Sequence, residues 1–61
     1  MQGCRKIKIT KVNDEIVEMK CTSFDLTDKE VIIYDVPSLV KGKYVDCKIP
    51  LSIIKMIVYF L

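Results

Sequence analysis

Residues 47–61 read CKIPLSIIKMIVYFL. A membrane span, a buried strand and a subunit contact would each need a stretch of this kind, and its interruptions decide among them. A helix crossing a bilayer needs roughly twenty apolar residues, whereas Pro50, Ser52 and Lys55 break the run after Lys48. No membrane partner is therefore expected. Pro50 stops a preceding strand, Leu51-Ser52-Ile53 is long enough for a single 3₁₀ turn, and a last strand runs from Ile54 to Phe60. Uniform alternation puts Ile54, Met56, Val58 and Phe60 on the core side and Lys55, Ile57, Tyr59 and Leu61 outside. Because three of those four outward residues are apolar, Ile57, Tyr59 and Leu61 are expected to be covered by another subunit in a homo-oligomer, the alternative being cover by the chain's own amino-terminal residues or loop.

Upstream of this stretch the chain alternates as well. In RKIKITK, Ile7 and Ile9 interleave with Lys6, Lys8 and Thr10, the pattern of a half-buried strand. Asn13-Asp14 supplies residues that tolerate a left-handed turn. The chain then returns as EIVEMKCTSF, with Val17, Met19 and Cys21 on one side. Thr27 precedes Glu30 at the spacing of a capping box, but VIIYDV is too rich in β-branched residues for a helix. Thr27 to Lys29 is therefore read as a turn and Glu30 to Val36 as the third strand. Pro37 ends the pairing because it has no N–H to donate. A connection with Gly42 at its tip leads to a fourth strand, Tyr44 to Ile49, with Val45, Cys47 and Ile49 inward. The expectation is an all-β single domain over residues 1–61, built as a five-stranded small barrel with a 3₁₀ turn before the last strand. Bending into a barrel limits exposed edges and sets the first and last strands side by side.

The segment CKIPLSIIKMIVYF resembles the Sm-like small barrel, in which four strands lead through a one-turn 3₁₀ element into a fifth; it is also similar to the small ring-forming accessory proteins of tailed bacteriophages. The Sm family reads RNA bases through an Asn in one loop and an Arg-Gly pair in another. Here the only Asn is Asn13 in the first turn and the only Arg is Arg5, so that RNA site does not carry over to any residue of this chain.

At 61 residues, the chain buries only about 60% of the surface its unfolded form exposes, and small domains of this size usually need a staple. Three cysteines, Cys4, Cys21 and Cys47, are widely spaced and odd in number, which argues against a disulfide framework. They read as small buried hydrophobes, with Cys21 and Cys47 in phase with core positions and Cys4 outside any strand and exposed. Without histidine, a zinc site would have to recruit a carboxylate such as Asp46. Neither metal nor cofactor is expected. Free thiols, and a charged start without an apolar leader, suit a reducing cytoplasm. Oligomerisation remains as the expected staple.

The catalytic repertoire is equally thin. No histidine serves as a base near neutral pH. The pairs Glu15/Glu18 and Asp25/Asp28 read as solvated charges, Ser52 and Lys55 as a turn residue beside a strand lysine, and two glycines cannot make a phosphate loop. The chain is read as a non-enzyme. Its expected function is a homo-oligomeric module that binds another protein, as a phage-type assembly factor or inhibitor would, with Val36, Leu39 and Val40 as a partner surface. The alternative is electrostatic RNA binding through Lys6, Lys8, Lys11, Lys41, Lys43 and Lys55, with Tyr44 or Tyr59 stacking on a base. A small-ligand site between subunits is a third. The net charge is only +2, but residues 12–40 carry seven acids against Lys20 and Lys29, so positive charge collects at the two ends.

Overall fold

The computed structural model describes residues 1–61 and is all-β. Seven strands form two antiparallel sheets: β1 (Gln2–Gly3), β2 (Lys6–Lys11), β3 (Ile16–Lys20), β4 (Ser23–Leu26), β5 (Glu30–Pro37), β6 (Tyr44–Pro50) and β7 (Ile54–Phe60), with a 3₁₀ turn at Leu51–Ile53. One sheet has the order β1-β4-β5-β6 and the other β3-β2-β7. No ladder joins β6 to β3 or β7, so the sheets do not close into a barrel. No helix is long and apolar enough to cross a membrane.

Seven strands replace the expected five because both strands of the first hairpin bend from one sheet into the other. Gln2 faces Phe24 and Gly3 faces Ser23 in one sheet, while Lys6 faces Lys20 and Ile7 faces Met19 in the other. The register is unbroken between them: the Cys4 N–H donates to the Thr22 carbonyl at 3.1 Å and the Cys21 N–H to the Arg5 carbonyl at 3.3 Å. What does change at this corner is the face that points inward. Buried positions step from Cys4 to Ile7 on one strand and from Cys21 to Phe24 on the other, three residues instead of two. This corrects the expectation for Cys4, which is buried beside Cys21 and not exposed.

The remaining turns follow their local chemistry. Asp14 takes φ 68°, and the Glu15 N–H donates to Asn13 Oδ1 at 3.1 Å. Thr27 Oγ1 accepts the Lys29 and Glu30 N–H groups at 3.2 and 3.0 Å, so the capping-box spacing serves a strand-to-strand turn. Gly42, with φ 81°, turns the chain between β5 and β6. The 3₁₀ turn is tied to that earlier turn by the Leu51 N–H, which donates to the Lys29 carbonyl at 2.9 Å.

Eight residues form the core: Cys4, Ile7, Ile9, Cys21, Phe24, Val31, Ile33 and Val36. Val36 had been expected on a partner surface with Leu39 and Val40. Asp35, in left-handed conformation at φ 57°, is an extra residue between the pairs Ile33–Cys47 and Val36–Val45. That bulge turns Val36 into the core and leaves only Leu39 and Val40 exposed. The Thr22 hydroxyl donates to Asp35 Oδ2 at 2.7 Å and fastens the bulge to the corner.

Candidate interaction face

A second irregularity governs β7. Its register with β2 runs Ile9–Ile57 and Thr10–Met56, then shifts to Lys11–Ile54, which leaves Lys55 as the extra residue. Ile54 and Ile57 consequently share the inner face, and both pack against the core. Tyr59 follows them inward, opposite Ile7, with its ring centroid 5.0 Å from that of buried Phe24. This aromatic contact links β7 of one sheet to β4 of the other. The face assignment made from uniform alternation is thus reversed for Ile57, which packs against the core, and for Met56, Val58 and Phe60, which turn outward; Tyr59 lies on the Phe24 side of the strand but remains 43% exposed. Leu61 lies beyond the strand and is 80% exposed.

The outer face of the three-stranded sheet can be read row by row across β3, β2 and β7. Lys20, Lys6 and Phe60 make one row, Glu18, Lys8 and Val58 the next, and Ile16, Thr10 and Met56 the third. Ile16, Met56, Val58 and Phe60 all remain exposed, Met56 at 53%. Beyond them, β7 has no partner on its outer edge, so its backbone N–H and C=O groups on that side form an open template for a further strand.

Cations crowd one end of this face. Lys6 Nζ sits 4.7 Å above the Phe60 ring and 3.4 Å from Glu18 Oε2, and Arg5, Lys6, Lys20 and Phe60 line a shallow groove. Lys20 is the residue that charge counting along the chain missed, since it lies in the acidic middle of the sequence and reaches Lys6 only through strand pairing. The other candidate lysines are dispersed. Lys11 pairs with Glu15 at 2.7 Å and Lys55 with Asp14 at 3.0 Å. Lys41, Lys43 and Tyr44 lie at the connection into β6, on the other sheet. Tyr44 is 64% exposed.

The groups weighed for chemistry are not gathered into a site. Cys47 faces Ile33 on β6, apart from the contact between Cys4 and Cys21, and no cluster of three or more Cys, Asp or Glu is placed to hold a metal. Burial pushes the Cys21 thiol up to about 12, and the hydrogen bond and charge of Cys4 add to the shift. Comparison with protein-family models, with curated proteins and with solved structures finds no match to this chain.

Proposed function

We propose that this protein is a non-enzymatic module that associates with copies of itself and presents the assembly to another protein. The observation that carries this reading is the exposed apolar row Met56, Val58 and Phe60 of β7 beside its unpaired edge, with exposed Ile16 across the same face on β3. A core of eight residues is small, and covering this face adds apolar burial at about 25 cal/mol per Å² where the monomer has little. A second copy is the occupant that meets both needs at once, because one of its own free edge strands, β3, β6 or β7, can extend the sheet. In this reading the strand path is that of a small Sm-like barrel, the two sheets being the halves of one strongly bent five-stranded ribbon. The assembly acts as an adaptor or inhibitor in the cytoplasm, and Leu39 and Val40, exposed in the loop before β6, form its partner surface. Sedimentation over a concentration series tests self-association: the reading requires a species heavier than the 7.1 kDa chain that dissociates on dilution.

A second reading has its own observation, the groove of Arg5, Lys6 and Lys20 around Phe60. Three cations around an aromatic ring suit a single-stranded nucleic acid, with phosphates on the cations and a base on the ring. The groove shares its face with the apolar set, so the two readings compete for one surface. Binding of single-stranded RNA at low salt that disappears in Lys6→Glu/Lys20→Glu would favour this second reading; absence of binding by the wild type would remove it.

A further inference from the structure

Cys4 and Cys21 meet at the corner where the first hairpin passes from one sheet to the other, and their Sγ atoms are 3.1 Å apart. Each is held there by backbone: the Cys4 N–H donates to the Thr22 carbonyl and the Cys21 N–H to the Arg5 carbonyl, so the two side chains are diagonal neighbours across the corner of the hairpin. Both are buried, with 9% and 7% exposure. Cys47, on β6 opposite Ile33, is not part of this contact.

We propose that Cys4 and Cys21 form a reversible intramolecular disulfide, a covalent staple for the corner that joins the two sheets. A disulfide needs its sulfurs at about 2.0 Å, so the 3.1 Å contact has to close by about 1 Å, within reach of small side-chain rotations. The oxidant is a low-molecular-weight disulfide. The Cys4 thiolate attacks one of its sulfurs, forming a mixed disulfide and expelling one thiolate. Cys21, having given up its proton to solvent, then attacks Cys4 Sγ and expels the second. Two protein thiols are oxidised, one external disulfide is reduced to two thiols, and no other reactant is needed. Burial is the main reason Cys21 stays protonated, with the hydrogen bond and charge of Cys4 adding to it. Burial still slows the second step, so closure is slow at neutral pH and accelerates as pH rises.

The bond would join residues 17 positions apart. It restricts the unfolded chain and adds a staple that the small core lacks. Unlike the proposed self-association, it depends on no second copy, so dissociating the assembly does not abolish it.

The test uses folded protein carrying Cys47→Ser, incubated with oxidised glutathione and then digested with trypsin without reduction. The expected result is a linked pair of peptides, MQGCR (residues 1–5) with CTSFDLTDK (residues 21–29), an intact mass lower by two hydrogens, and a Tm raised by roughly 10 °C. Both the link and the Tm rise should be absent in Cys4→Ser and reversed by a reducing agent. Free Cys4 and Cys21 after oxidation, glutathione adducts without the linked peptides, or a link that forms only in denaturant would overturn the proposal.

Discussion

Ile54 and Ile57 stand three residues apart in β7 yet share its inner face, because the pairing with β2 skips Lys55. The consequence for mutation is an asymmetry between neighbours. Ile57→Ala removes packing against Ile9 and should cost roughly 1–3 kcal/mol of stability. Val58→Ala, on the outer face, should change the stability of the monomer by less than about 0.5 kcal/mol. Urea denaturation at a concentration low enough to keep the protein monomeric checks the pair; equal costs would mean that the bulge is misplaced.

The left-handed Asp35 gives a second contrast. Its φ of 57° suits Asn and Gly and opposes β-branched residues, and its carboxylate accepts the Thr22 hydroxyl. Asp35→Asn should cost about 1 kcal/mol or less, whereas Asp35→Val should cost roughly 2–3 kcal/mol by adding backbone strain to the lost hydrogen bond. Thermal melts of the two variants would show it, and a Val variant as stable as the Asn variant would contradict the bulge geometry.

Burial of Cys21 also makes stability depend on pH. The folded thiol titrates at about 12 and the unfolded one near 9.0, so folding favours the protonated form. This contribution is complete below about pH 9.0 and is lost progressively as pH rises toward 12. Wild-type protein kept reduced should lose stability through that window, and Cys21→Ala should lose less. A thiol reagent applied to the native, reduced protein should label half-buried Cys47 first, Cys4 more slowly and Cys21 last. Labelling of Cys21 as fast as Cys47 would show that the corner does not hold.

Much of this architecture was legible from residue order alone. The alternation of Ile7 and Ile9 against the lysines, the Asn13-Asp14 and Thr27 turns, the 3₁₀ turn at Leu51–Ile53 and the span of β7 all follow from local chemistry that the chain spells out. Faces were lost wherever an extra residue or a bend interrupts the period of two. Cys4, Val36 and Ile57 each lie just beyond such an interruption, and a slip of one residue turns every later side chain over. Neither Asp35 nor Lys55 announces a bulge by type, since no Gly marks the position; the bulges arise from the partner strand's register. The proximity of Lys20 to Lys6 was hidden for the same reason, being a property of pairing across the hairpin.

If the groove at Phe60 binds nucleic acid, affinity should fall steeply with salt, with a slope set by the few phosphates that Arg5, Lys6 and Lys20 can reach. Titrating a fluorescent single-stranded RNA at several salt concentrations measures that slope. Tight binding that is selective for one sequence and indifferent to salt would not fit a surface of lysines.

In the proposed assembly, the outer face and free edge of β7 hold copies of the chain together. Its most direct test is the molar mass in solution by light scattering at tens of micromolar, for the wild type and for Met56→Lys/Val58→Lys, with circular dichroism to confirm that the variant remains folded. The wild-type mass should be a multiple of 7.1 kDa, and the variant should be folded and monomeric. A monomeric wild type, or a variant that stays folded and assembled, would contradict it.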